Sequence, residues 1–145
     1  MTEETVPETT GRAVDLTLIG EGRWKATNAR GGVLPVGSGE DPDFTPVELL
    51  LAALGGCPAV TIDDIAGKRV SPERFDVHVS GDKVSDEQGS HVVNLRVTLD
   101  IAYPAGDAGD HARALLPKAI QLTQDRYCSV SKTVELATPV EIVQT

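Results

Sequence analysis

The clearest pattern along the chain is an alternation of apolar and polar residues, which is typical of half-buried β-strands. It predicts strands at Val14–Ile19, Arg23–Thr27, Val33–Val36, Phe75–Ser80, His91–Ala102, Val134–Ala137 and Val140–Val143. The short segment Gly20-Glu-Gly22 joins the first two strands as a hairpin. The polar stretch Gly81–Ser90 is predicted to join the fourth and fifth strands as a long hairpin.

A helix begins sharply after the third strand. Thr45 is a good N-cap residue, Pro46 suits the first helical position, and Glu48 completes a capping box with Thr45. The following Leu-Leu-Leu-Ala-Ala-Leu run is apolar nearly all round, which indicates a helix buried on most sides.

The first helix is predicted to kink or break at its cysteine. Gly55-Gly56 precedes Cys57 and Pro58 follows it, and glycine and proline both weaken a helix interior. A helical pattern then resumes from Val60 to Lys68. The glycines and the proline are also expected to leave backbone N–H groups free to hold a thiolate.

The fold class predicted from this order is α+β, with antiparallel sheets. A second helix is predicted over about Asp107–Tyr127, with Pro117 as a possible kink, and the strands are not arranged in regular βαβ units. Residues 1–11 are predicted to be a disordered tail and residues 12–145 a single domain. Since few strands are available to cover so apolar a first helix, two subunits sharing their central helices are expected.

Composition narrows the range of partners. The formal net charge of −9 argues against electrostatic binding of nucleic acid or of an anionic membrane surface. Met1–Thr10 lacks the basic and apolar regions of a secretory signal, and no apolar stretch is expected to reach the roughly 20 residues of a membrane span. The cytoplasm is therefore the expected compartment.

Two cysteines are the main candidates for chemistry. Cys57 and Cys128 are the only cysteines in the 145 residues, and each is predicted where a helix meets a turn, a position that can lower a thiol pKa. A role for both as small core residues is the alternative. No metal is expected, because the three histidines are scattered without ligand spacing.

Two motifs resemble those of the OsmC/Ohr family, the thiol-dependent organic hydroperoxide reductases and their relatives. They are Pro46-Val-Glu-Leu-Leu-Leu-Ala-Ala-Leu-Gly-Gly-Cys57 and, about 70 residues later, Tyr127-Cys-Ser-Val130. The resemblance implies an intertwined homodimer in which two antiparallel sheets wrap around central helices. An active site would lie at each end of the subunit interface.

The resemblance also implies a reaction. Cys57 would attack an organic hydroperoxide and become a sulfenic acid, and Cys128 would resolve it as a disulfide. No bound cofactor is expected; a lipoyl group or another thiol would act as the external reductant. An apolar pocket lined by Leu50, Leu51 and Leu54 is predicted to favour alkyl or fatty-acyl peroxides.

The chain departs from the pattern of the family's best-characterised peroxidases at two places. Where those enzymes have a glutamate after the proline, this chain has Val47, and its carboxylate is Glu48, about 100° further round the helix. The loop Pro35–Gly39 contains no arginine where those enzymes have one, so Arg30 is the candidate replacement and Arg23 the second choice.

The sequence therefore favours a thiol peroxidase for organic hydroperoxides. Two other functions stay open. One is a non-catalytic protein that keeps the fold and binds a small apolar ligand or a sulfur species, which Val47 and the arginine-free loop favour. The other is a redox sensor in which the disulfide forms without turnover.

Overall fold

A computed structural model describes residues 7–145. The elements in chain order are β1 Asp15–Gly20, β2 Arg23–Thr27, β3 Val33–Val36, α1 Pro46–Ala66, β4 Arg74–Asp86, β5 Gly89–Ala102, α2 Asp107–Leu122, a π-helical turn Thr123–Tyr127, and α3 Ser129–Glu135. Two antiparallel sheets with three α-helices confirm the α+β class. The chain divides into two compact units, one ending at Glu48 and one beginning at Leu49.

The first unit contains a three-stranded antiparallel sheet in the order β1-β2-β3. β1 pairs with β2 from Asp15↔Thr27 onward, and β2 pairs with β3 from Trp24↔Val36 onward. Gly22, in the turn between β1 and β2, has a φ of +66°, a left-handed conformation that favours glycine. The three strands predicted from the alternation are thus confirmed.

The second unit contains a two-stranded ribbon formed by β4 and β5. The predicted long hairpin between the two strands is confirmed, but the strand bounds predicted were too short, because β4 and β5 stay paired as far as Asp86↔Gly89. A tight turn closes the ribbon, with the Gln88 N–H donating to the Asp86 carboxylate at 2.9 Å. The polarity of this stretch reflects exposed paired strands, not a lack of strand structure.

α1 passes through its Gly-Gly-Cys-Pro segment without a break, so the predicted break and new helix were wrong, while the predicted kink stays a prediction. The Thr61 hydroxyl donates to the Cys57 carbonyl at 3.1 Å within the continuing helix. Gly55 is needed for packing, since a Cβ there would lie 2.5 Å from Val79 Cγ2 on β4. The glycine therefore allows α1 to approach the ribbon closely, and the expectation that free backbone N–H groups hold a thiolate stays a prediction.

α1 is also long and apolar enough, by length and composition, to cross a membrane, contrary to the expectation that no stretch reaches that length. The core helix of a soluble protein passes the same test. Within the described chain α1 is buried only at Leu54, Gly55, Ile62 and Ala66, whereas Val60 is 73% exposed. The predicted burial on most sides is therefore not reached by one chain.

The core of the second unit lies between the end of α1, the end of β5 and α2. Ala66, Tyr103 and Ala112 form its buried centre, with Val70, Ile101, Leu115 and Leu116 packed against it. α2 and the π-helical turn together cover the helix predicted over 107–127. Pro117 is accommodated inside α2.

The end of the chain differs from the prediction. The segment read as the strand Val134–Ala137 is mostly the end of α3, and residues 136–145 contain no strand, so the final strand pair was wrong. Val130 and Val134 are four residues apart and share one face of α3, a spacing that suits a helix. The backbone N–H of Lys132 donates to the Cys128 carbonyl at 3.0 Å in the first turn.

The predicted disordered tail falls partly outside the described residues, which begin at residue 7. Residues 7–14 are exposed and form no helix or strand. The assignment of residues 12–145 to a single domain stays a prediction.

Candidate active site

The structure brings Cys57 and Cys128 together, both as free thiols. Cys57 lies within α1 and is half-buried, whereas Cys128 immediately precedes α3 and is only 2% exposed. The Cys57 side chain is close enough to act as a hydrogen-bond partner of the Cys128 sulfur. Cysteines about 70 residues apart in sequence therefore form one two-thiol centre.

Four groups surround the Cys128 sulfur. Its Sγ and the Ser131 Oγ are 3.0 Å apart and hydrogen-bonded. Burial alone would raise the pKa of the Cys128 thiol, but hydrogen bonds from the Ser131 side chain and backbone, the Cys57 thiol and the Val130 backbone bring this pKa below its usual value. Hydrogen bonding thus outweighs desolvation.

The π-helical turn sets the position of Cys128. The Cys128 N–H donates to the Thr123 carbonyl at 3.0 Å, the wide spacing of a π-helix. The Thr123 side chain is itself buried, and its hydroxyl donates to the Ala119 carbonyl at 2.7 Å. The end of α2 is thereby fixed by hydrogen bonds immediately before the cysteine.

A cavity of about 260 Å³ lies against Cys128. Apolar side chains from α1, β5 and α2 and polar groups from the π-helical turn and α3 both form its walls. The lining residues are Pro58, Ile62, Leu95, Val97, Leu99, Ile120, Thr123, Gln124, Cys128, Ser131 and Glu135. Apolar walls with polar groups placed among them are common in small-molecule sites.

The three leucines predicted to line the pocket do not line this cavity. Leu54 is buried and Leu51 half-buried in the described chain, and Leu50 is 36% exposed. Pro58 and Ile62, further along the same helix, face the cavity instead. The substrate role of the leucines stays a prediction.

Glu48 acts at the start of α1 as a helix cap. The Thr45 N–H donates to Glu48 Oε1 at 2.9 Å, and the Glu48 N–H donates to Thr45 Oγ1 at 3.3 Å. The backbone and side chain of Thr45 together lower the pKa of the Glu48 carboxyl. The capping box predicted from the sequence is therefore present, while a catalytic role for Glu48 stays a prediction.

The candidate arginines have different surroundings. Arg23 forms an ion pair with Asp43 at 2.9 Å. Arg30 lies in the turn between β2 and β3, and among residues 7–145 its guanidinium has no ion pair or hydrogen-bond partner. Its proposed role in activation stays untested.

Arg126, next to Cys128 in sequence, is exposed and is not among the groups that lower the Cys128 pKa.

Ser131 is the site residue that sequence reasoning missed. It lies three residues after Cys128, so the two side chains meet only if a helical turn follows the cysteine. Because strands and no helix were predicted near the chain end, the helical spacing of Cys128 and Ser131 was not recognised. Within residues 7–145, no group of three or more His, Cys, Asp or Glu side chains is placed to hold a metal ion.

These features define a class of protein: an α+β fold that brings two separated thiols together beside a small cavity. The family described as OsmC-like protein matches residues 37–143, most of the chain. The protein belongs to the OsmC family.

Its relatives are themselves little characterised. The chain is 29% identical over 126 residues to an uncharacterized protein of Mycobacterium tuberculosis, covering 85% of this chain and 88% of the relative. An OsmC-like protein of unknown function from Vibrio cholerae superposes with a TM-score of 0.71 at 15% identity, over 88% of this chain and 95% of that one. A hypothetical protein from Aquifex aeolicus gives a TM-score of 0.69 at 20% identity, over 90% and 91%. These structures support the fold alone.

Proposed function

We propose that the protein is a thiol-dependent peroxidase that reduces organic hydroperoxides to alcohols through a Cys57–Cys128 disulfide. The observation that carries the proposal is the pair of neighbouring thiols beside a cavity with both apolar and polar walls. Membership of the OsmC family supports a peroxidase-related role. The physiological setting would be an antioxidant response to oxidative stress in the cytoplasm, where thiols are kept reduced.

The size of the cavity favours small organic peroxides. Its volume of about 260 Å³ lies just below the range of ordinary small-molecule sites, which begins at about 300 Å³. Leu95, Val97 and Leu99 on β5 present apolar side chains to it. A short alkyl or aryl hydroperoxide suits such a site better than a long fatty-acyl chain.

Turnover also needs a reductant. Each cycle leaves a disulfide, and a lipoyl group or another dithiol would return two electrons and two protons by thiol–disulfide exchange. The reductant is proposed on chemical grounds and needs no bound cofactor.

The working form is proposed to be a homodimer. Val60 on α1 and Leu16 and Leu18 on β1 are apolar and more than half exposed in the described chain. A second copy would remove this apolar surface from water, which is the main driving force for association.

A single-turnover experiment tests the peroxidase. Reduced protein mixed with one equivalent of cumene hydroperoxide is expected to lose two thiols and two hydrogens in intact mass, with one cumyl alcohol formed per chain. Free glutathione under the same conditions is the control. Oxidation no faster than that of glutathione would reject the enzyme and favour a non-catalytic ligand-binding role. Rapid disulfide formation without turnover by any dithiol would favour a redox sensor.

A further inference from the structure

The cavity beside Cys128 has one acidic side chain in its wall. Among the described residues that line the cavity, Glu135 is the only one with a formal charge, since the other polar groups belong to Thr123, Gln124 and Ser131 besides the thiol. Glu135 is not among the groups that shift the Cys128 pKa. The cavity therefore carries a negative charge that the two-thiol centre does not use.

Glu135 and the thiol lie at opposite ends of one face of α3 and the residue before it. Cys128, Ser131 and Glu135 are spaced by three and then four residues, which places them on the same side of a helix. Seven residues of α-helix rise about 10 Å. Cys128 is 2% exposed, whereas the Glu135 side chain is 62% exposed. The carboxylate therefore lies at the open end of the cavity and the sulfur at its closed end.

Lys132 offsets this charge only in part. Its Nζ lies 3.4 Å from Glu135 Oε2, and both side chains are open to solvent. Exposed ion pairs of this kind are weak. Lys132 does not line the cavity, so a molecule inside the cavity meets the carboxylate and not the ammonium group.

We propose that Glu135 makes the cavity selective for hydroperoxides whose far end is uncharged and disfavours those that carry a carboxylate there. The inference rests on the proposed peroxidase function and adds to it the charge class of the substrate. A short hydroperoxide with its peroxide group at the two-thiol centre would point its other end toward Glu135. An apolar end would contact the side chains of β5, whereas a carboxylate would face a like charge within the Debye length of about 8 Å.

Cumene hydroperoxide and its para-carboxylate derivative form a matched pair of substrates. Single-turnover oxidation of the reduced protein by each is compared with that of 2-mercaptoethanol, a neutral thiol that corrects for their intrinsic reactivity. The wild-type protein is expected to prefer the neutral hydroperoxide about threefold to tenfold, the scale of a screened repulsion between like charges. Glu135→Gln is expected to lose this preference and Glu135→Lys to reverse it. In 1 M salt, where the Debye length is about 3 Å, the wild-type preference is expected to fall toward that of Glu135→Gln.

Glu87→Gln is the matched control. Glu87 lies in the exposed turn between β4 and β5 and does not line the cavity. The substitution changes the net charge by the same amount as Glu135→Gln and is expected to leave both oxidation rates unchanged. Circular dichroism and melting curves check that each variant is folded.

Alkylation of Cys128 tests the charge selection without relying on peroxidase activity. The rate with iodoacetate is divided by the rate with neutral iodoacetamide, both followed by peptide mass, and the ratio is compared with that of 2-mercaptoethanol. The ratio is expected to be lower for the wild-type protein than for the free thiol, and to rise about twofold in Glu135→Gln.

The outcomes separate the two proposals. A wild type oxidised no faster than 2-mercaptoethanol rejects the peroxidase, and the alkylation ratio then decides on Glu135 by itself. An unchanged alkylation ratio in a folded Glu135→Gln protein overturns the charge selection. So does a wild type that outpaces the free thiol equally with both hydroperoxides.

Discussion

At the scale of single residues, two opposing effects act on Cys128. Removing a thiolate from water is unfavourable, whereas hydrogen bonds to its sulfur favour the charged form. Burial is the largest single effect on the pKa of Cys128, yet the Ser131 hydroxyl and the other donors together lower this pKa. Ser131 is therefore a positioning residue whose effect depends on pH.

Ser131→Ala is expected to change the pH profile of Cys128 alkylation. Loss of one hydrogen bond to a charged group, worth about 1.5 kcal/mol, raises the Cys128 pKa and cuts the thiolate fraction about tenfold at pH values below it. A more basic thiolate is intrinsically more nucleophilic, so the net loss of rate there is about threefold. Well above the pKa the variant is expected to be about threefold faster than wild type. The rate of Cys128 alkylation by iodoacetamide across pH, followed by peptide mass, measures this crossing.

Ser131→Thr is the matched control for this prediction. It keeps a hydroxyl three residues after Cys128 and is expected to restore the wild-type profile. A Ser131→Ala protein that is slower by the same factor at every pH would mean that the hydroxyl only supports the local structure.

Glu48 gives a second prediction at this scale. Glu48→Gln is expected to keep the peroxide oxidation rate, because glutamine also completes a capping box with Thr45. Glu48→Ala is expected to lower the melting temperature while leaving the rate of the folded protein unchanged. A large loss of rate in a folded, stable Glu48→Gln protein would instead assign the carboxylate to the chemistry.

What could be predicted at this scale depended on distance along the chain. The Thr45–Glu48 cap was predictable, because all of its parts lie within one turn. The meeting of Cys57 with Cys128 was predictable only through the family resemblance. Which thiol faces the cavity could not be predicted, since the cavity also depends on residues of β5 and α2.

At the scale of elements, α1 shows how packing overrides local propensity. Glycine and proline weaken an isolated helix, yet α1 continues through Gly55, Gly56 and Pro58. Gly55 lets the helix approach Val77 and Val79 on β4, so its role is steric. Tertiary contacts of this kind cannot be found from propensity alone.

The two glycines are expected to respond differently to substitution. A Cβ on residue 55 would lie 2.5 Å from Val79 Cγ2 and 3.1 Å from Val77 Cγ1, whereas none of the described atoms lies within 4 Å of one on residue 56. Gly55→Ala should lower the free energy of unfolding by about 1–3 kcal/mol through overpacking. Gly56→Ala should raise it by up to about 1 kcal/mol. Urea unfolding measures both, and equal shifts would contradict the packing role of Gly55.

The pattern of alternation was reliable for the strands of the first sheet and less reliable elsewhere. It predicted β1 to β3 because their apolar and polar residues follow a period of two. It failed at Val134–Ala137, since so short a segment fits a strand and a helix almost equally well. It also missed the paired residues of the exposed ribbon, where both strand faces are largely polar.

At the scale of the whole molecule, the notable feature is apolar surface left exposed by one chain. Val60 on α1 is 73% exposed, and Ile142 near the chain end is 93% exposed. The apolar character of α1 was readable from the sequence. The expectation that a second copy covers its outer face also came from the sequence, and it stays a prediction.

Val60→Asp tests the homodimer. Light scattering is expected to give the wild-type protein twice the chain mass of 15.3 kDa. In the variant, a dimer would bury the charge of the new aspartate, so the variant is expected to be a monomer. Gln121→Asp, at an exposed polar position on α2, adds a comparable charge and should stay dimeric. A monomeric wild type would reject the dimer, whereas a Val60→Asp protein that stays dimeric would show that Val60 lies outside its interface.

The hydrogen bond between Ser131 and Cys128 also affects the return of electrons after oxidation. It stabilises the reduced thiolate and has no comparable charge to act on once the sulfur is in a disulfide. Stabilising the reduced form raises the reduction potential of the dithiol–disulfide couple. The contact that prepares the sulfur for attack therefore also makes the oxidised protein easier for an external dithiol to reduce.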